Sequence, residues 1–241
     1  YASVDQATDR LMTDVMAELR KVKPDVLIEF RQRYIGPLMR KYGNMFRAGD
    51  SPGAAVDNRV RTVDLRLLSG NTAVHSDMFM WHYDEPVEVA ALQLLSILFS
   101  VPQLSVRLEE IPDDHRTMVT HYTDYWRRNA SVLLDGQFEA QSPLANYPLV
   151  SATGADKRIV GLYGDVVVTL DGEAGSEEID IINGKASGRV IVDPQRPFGG
   201  YSYEIKDALG RTVATGDVVL DESPIGFDVP ASGMMTLRRR P

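Results

Sequence analysis

Carboxylates and guanidinium groups gather just after four short apolar runs. Glu29-Phe-Arg31 closes the first and Arg47-Ala-Gly-Asp50 the second. His75-Ser-Asp77-Met78 belongs to the third, and Arg107, Glu109 and Glu110 follow the fourth. Positioned carboxyl groups move protons, and a planar guanidinium holds carboxylates or sugar hydroxyls through its fork. Polar residues at such places cost free energy to bury unless they are paired or used. Each also has a plainer reading. Asp50 stands before Ser51-Pro52 and suits a helix N-cap. Glu29 and Arg31 share one face of a strand end and either pair with each other or contact substrate. Asp77 is a strand-end cap or a partner for a sugar hydroxyl. Trp81 stacks on a sugar ring or fills a core.

Other chemistries find less support. Ser51 and Ser76 lack the Gly-x-Ser-x-Gly elbow of a serine hydrolase. His75 and His82 lie seven apart with no arranged carboxylate, so no metal site is expected. Gly199-Gly200 opens no helix and is no phosphate loop. The chain has no cysteine, which excludes disulfides and thiol nucleophiles. Nothing calls for a cofactor. The Arg238-Arg-Arg240 run reads as solvated.

The elements that must carry these residues follow from periodicity. Val4, Leu11, Met12, Val15, Met16 and Leu19 fall on one face of a helix from about Asp5 to Lys21, ended by Pro24. Asp25 to Phe30 is apolar without alternation, as in a parallel strand buried on both faces. A polar loop and short helix from Arg31 to Asn44 lead to a second strand, Met45 to Arg47. A helix then runs from about Ala54 to Leu68, followed by a strand from Ala73 to Trp81. An apolar helix from Glu85 to Ser100 is capped near Asp84, with Pro86 in its first turn. Leu104 to Leu108 reads as a strand, and Asp113 to Leu134 as a long helix. Strand and helix alternate four times, the pattern of a parallel sheet and half of an eight-stranded barrel. In such barrels function sits at the carboxyl ends of the strands. The leading helix suits one that follows a preceding strand, and the start at Tyr1 reads as a cut inside a larger protein.

From Gln137 onward, β-branched runs are split by Asp171-Gly172, Asn183-Gly184 and Leu209-Gly210. About eight short strands at this spacing predict an antiparallel β-sandwich. The expected fold class is therefore α/β: the C-terminal half of a TIM (β/α)8 barrel over residues 1–135, then a β-sandwich domain over 136–241. The net charge of −8 argues against a nucleic-acid partner. No apolar run is long enough to span a bilayer, and no membrane association is expected. Assembly of like chains stays open.

The run Arg47-Ala-Gly-Asp-Ser-Pro52, then Asn58-Arg59, Leu65-Arg-Leu-Leu68 and Asp77-Met78 after a strand, resembles glycoside hydrolase family 36, the melibiase-type α-galactosidases. The resemblance covers about residues 5–150, and a trailing β domain also occurs in the family. It implies a retaining glycosidase acting on α-galactoside oligosaccharides. Asp50 would be the acid/base, and Arg47, Glu29, Arg31 and Asp77 would contact the substrate. The nucleophilic Asp would follow a strand preceding Tyr1. The sequence departs from the family where Ile28-Glu-Phe-Arg31 replaces a Gly-rich segment. Arg47 and Asp50 are separated by two residues where relatives often have three, and His75-Ser76 replaces Asp-Pro.

Overall fold

The computed structural model describes residues 1–31, 37–172 and 175–240. Helix α1 spans Val4–Val22, with the Ser3 hydroxyl accepting from the Gln6 amide as an N-cap. Strands β1 (Glu29–Phe30), β2 (Met45–Arg47), β3 (Ala73–Phe79) and β4 (Val101–Leu104) form a parallel sheet in the order β1-β2-β3-β4. Helix α2 (Ala55–Ser69) joins β2 to β3, α3 (Val87–Ser96) joins β3 to β4, and α4 (Asp113–Asp135) follows β4. The first part is thus a mixed α/β unit on a parallel sheet. Between β1 and β2, a 3-10 turn covers Pro37–Lys41; residues 32–36 of the expected polar loop lie outside the described residues.

The chain then becomes β-rich. Strands β5 (Gln137–Gln141), β6 (Leu149–Thr153), β7 (Lys157–Leu162), β9 (Glu178–Asn183), β11 (Gly199–Lys206), β12 (Thr212–Leu220) and β14 (Met234–Arg239) form a seven-stranded sheet. Strands β8 (Val168–Leu170), β10 (Arg189–Pro194) and β13 (Ile225–Asp228) form a second sheet. The expectation of purely antiparallel pairing fails at two places: β7 pairs with β9, and β8 with β10, in parallel. The intervening segments cross over instead of turning back as hairpins. The Arg238–Arg240 run is exposed, as expected, and also makes ion pairs. Arg238 and Arg239 belong to β14, Arg238 pairs with Glu178 at 3.0 Å, and Arg240 pairs with Asp217 at 2.9 Å.

Period-two alternation explains how the large sheet is held. Leu149, Val160, Leu162, Ile179, Ile181, Met235 and Leu237 share one cluster with Val168, Leu170, Val190 and Val192 of the smaller sheet. Val150, Ala152, Ile159, Ile182 and Met234 instead join Leu94, Leu95, Leu98, Met118, Tyr122 and Tyr125 of α3, α4 and the segment between. Both faces of the sheet are therefore covered, each buried Leu or Ile contributing about 1.5–3 kcal/mol. The amino-terminal helix contrasts with this. Only Met16 of its apolar stripe is buried, while Leu11, Val15 and Leu19 face solvent. Among the described residues, no helix is long and apolar enough to cross a membrane.

Candidate active site

The carboxyl ends of β1, β2 and β3 bring four of the five expected residues together. Arg47, the last residue of β2, is buried, with its guanidinium between two carboxylates. Its Nη1 donates to Asp50 Oδ1 at 3.1 Å, and its Nη2 donates to Asp77 Oδ1. Arg31, just past β1, donates from Nη2 to the same Asp50 oxygen at 2.7 Å. Asp50 Oδ2 has no hydrogen-bond partner among the described residues, and the Asp50 side chain is 68% exposed. One carboxylate oxygen is thus fixed by two cations while the other stays open. The Arg61 guanidinium holds the Asp50 main-chain carbonyl from helix α2.

Electrostatics follow from this arrangement. The Arg31 guanidinium, helped by Arg47, holds the Asp50 carboxyl below the usual carboxylate range, outweighing the small cost of desolvation. Asp50 is therefore the ionised, proton-accepting form around neutral pH. The N-cap reading of Asp50 does not hold. Helix α2 begins at Ala55, its N-cap residue is Ala54, and no side chain caps it. The turn at Ser51 and Pro52 keeps Asp50 too far upstream to reach the helix amides.

Asp77 is neither an exposed sugar contact nor a strand-end cap. It lies within β3 with no exposed surface, because β3 continues to Phe79. Its Oδ1 takes Arg47 and its Oδ2 takes the Ser51 amide, so both oxygens are engaged. The carboxylate ties β3 to the loop that carries Asp50. Asn58 clamps Asp77 from α2: its Oδ1 accepts the Asp77 amide at 3.2 Å and its Nδ2 donates to the Asp77 carbonyl at 3.3 Å. This role was missed in the sequence because it joins α2 to a strand residue 19 positions away, which no local pattern encodes.

Glu29 and Arg31 do not pair with each other. Successive strand residues point to opposite faces, but these two are separated by Phe30 and share one. Arg31 reaches Asp50, while Glu29 Oε2 meets His75 Nε2 at 3.3 Å, a partnership of β1 and β3 across the intervening β2 that no local pattern announces. Among the described residues, no group of three metal-ligating side chains is placed to hold an ion.

Beside the Asp50 turn lies a cleft of about 490 Å³ between the loop after β2 and the loop after β3. Trp81 forms part of its wall and is otherwise buried, 6.2 Å from the Phe79 ring. The expected cap at Asp84 is absent: α3 starts at Val87 after Pro86, and Asp84 instead meets His82 at 3.3 Å on the surface. A larger opening, about 730 Å³, sits at the opposite ends of β3 and β4 near Ala73 and Val101. It gathers Arg66 and Asp135 but none of the residues around Asp50.

No protein-family model and no curated protein matches the sequence. Among solved structures, the chain is similar to a glucosidase from Croceicoccus marinus, at 7% identity and a TM-score of 0.44, with 100% of this chain and 66% of that chain covered. It is also similar to a GH39 β-xylosidase from Caulobacter crescentus, at 10% identity and a TM-score of 0.42, with 100% and 63% covered. A third is CelM2, a bifunctional glucanase-xylanase from a metagenome library, at 11% identity and a TM-score of 0.44, with 95% and 58% covered. The chain spans less than two thirds of the length of each of these proteins.

Proposed function

We propose that these residues form part of a glycoside hydrolase that releases terminal α-linked galactose with retention, with Asp50 as its acid/base. In this reading the four parallel strands are strands five to eight of a (β/α)8 barrel. The β-rich part is a sandwich domain that braces it, and the nucleophilic carboxylate lies outside these 241 residues. The observation that carries the reading is the divided state of Asp50. At the carboxyl end of a parallel strand, one of its oxygens is locked by two guanidinium groups and the other is open to a reactant.

A retaining mechanism asks two things of that open oxygen. First, its proton passes to the glycosidic oxygen as the bond to the anomeric carbon breaks and the nucleophile's carboxylate attaches. Then the ionised carboxylate takes a proton from water as water displaces the enzyme carboxylate and restores the original anomer. The resting state described above suits the second step. The first needs the carboxyl protonated, which added negative charge nearby or withdrawal of the exposed Arg31 would favour. The close variants, an α-N-acetylgalactosaminidase or a galactosyl transferase, differ only around the sugar 2-substituent and in access of water. The ionised state of Asp50 also favours a second reading, a carbohydrate-binding or structural part in which Asp50 accepts sugar hydroxyls and transfers no proton.

The test is hydrolysis of an aryl α-galactoside by the protein expressed from its complete reading frame, followed by proton NMR of the first product. Release of galactose with the α anomer appearing first is expected. Release of the β anomer first rules out retention. Silence on α-galactosides and their N-acetyl analogues alike leaves the binding reading.

A further inference from the structure

We infer that the cleft beside the Asp50 turn is a binding site for a sugar ring, the departing portion of the substrate. Its assignment to the departing portion rests on the reading of Asp50 as the acid/base; its chemistry does not. The cleft wall includes Pro52 and Gly53, the second and third residues after Asp50, so it adjoins the turn that carries that carboxylate.

The wall is preformed. Trp81 donates from Nε1 to His115 Nδ1 at 2.9 Å. Since an indole can only donate, that imidazole nitrogen is the acceptor, and the other ring nitrogen, Nε2, carries the proton. His115 Nε2 then donates to the Glu85 carbonyl at 3.0 Å. Tyr83 is held through its hydroxyl, which accepts the Arg107 amide at 3.2 Å. The aromatic surfaces are thus fixed before any ligand arrives.

Two acceptors in the wall remain unanswered. Gln93 is 7% exposed and donates from Nε2 to the Gly53 carbonyl at 3.1 Å. That bond sets which end of the amide is which, and Gln93 Oε1 then meets no donor among the described residues. Glu85 Oε2 is buried and likewise unmatched. A buried acceptor left without a donor is costly, so such atoms in a cleft wall point to a ligand that brings donors. The terminal torsions of Gln and Glu are broad, so small rotations turn these oxygens toward an entering group. Rigid aromatic edges with a pair of acceptors suit a ring that has an apolar face and several hydroxyl groups.

The experiment is titration of the isotopically labelled chain with sucrose, followed by backbone amide and indole NMR. Saturable shifts are expected at Gly53, Tyr83, Glu85, Gln93 and the Trp81 indole. Gln93→Leu should weaken binding about tenfold by removing one acceptor hydrogen bond. Glu85→Ala, which removes the second acceptor without touching the Gly53 bond, should weaken it by a similar factor with the thermal midpoint unchanged. Absence of shifts at these residues, affinity in both variants equal to that of the parent, or tighter binding of methylammonium than of sucrose overturns the inference. The two readings fail separately. Sucrose bound in the cleft of a protein silent on glycosides removes the acid/base role and leaves the site. Hydrolysis without cleft shifts removes the site alone.

Discussion

Asp50 and Asp180 are both carboxylates held by cations, and they behave oppositely. Asp180 sits on β9, on the face of the large sheet that meets α4, and is 1% exposed. Its Oδ2 takes the Tyr125 hydroxyl and Lys157 Nζ, each at 2.7 Å, and its Oδ1 takes the Thr236 hydroxyl at 2.6 Å. Both oxygens are engaged and the group is sealed. At Asp50 both cations crowd one oxygen and the other is left open. A full shell makes a strut that joins helix to sheet; a half-filled shell at a strand end makes a group free to meet a reactant. Charge pairing alone does not mark a site, because structural clusters pair equally well.

The comparison breaks first at Asp180. Asp180→Ala leaves Lys157 with only Glu178 and strands the buried Tyr125 hydroxyl, and should cost about 3–5 kcal/mol in urea unfolding. A loss no greater than that of a surface substitution would show that the strut is not what fastens α4. Asp77→Ala should come next, at about 3 kcal/mol, because it leaves the buried Arg47 with only the exposed Asp50. Its amide spectrum should move at Ser51 and Asn58. Tyr125→Phe removes one bond from Asp180 and should cost about 1–2 kcal/mol in the same measurement.

The smallest effect sharpens the contrast. Arg31→Gln removes the main cause that holds the Asp50 carboxyl down, so carbon-detected NMR should show it titrating higher, toward its ordinary range. A carboxyl held down by the fold adds stability above its unfolded pKa and loses it as pH falls through the lowered folded value. Any difference in unfolding midpoint between parent and variant should therefore be present at neutral pH and vanish in acid. For so exposed a pair it should be slight. An unmoved titration would mean that Arg47 alone sets the state of Asp50.

Much of the parallel unit was legible because its signals are local. The second strand, Met45–Arg47, and the long helix from Asp113 were placed within a residue by their apolar patterns. The fourth strand was set three residues late. The alternation of Leu104, Val106 and Leu108 is persuasive, but pairing with β3 selects Val101–Leu104 despite its Pro102. β5 and β6 were not resolved from their surroundings, since Gln137–Gln141 is mostly polar and gains its place only by pairing with Leu149–Thr153. At the site, the motif that carries the family resemblance singled out Arg47 and Asp50, which the fold joins by a hydrogen bond. The link of Asp77 to Ser51 joins a strand to a distant loop and that of Glu29 to His75 joins two strands, which sequence spacing does not encode.

The most direct measurement compares Asp50→Asn with the parent, both from the complete reading frame, on aryl α-galactosides with good and poor leaving groups. If Asp50 donates the proton, hydrolysis with the poor leaving group falls by about 10²–10⁴-fold, and the acidic leaving group, which needs little protonation, is spared in its first step. An equal and small loss on both substrates, with the fold intact, would contradict an acid/base role for Asp50.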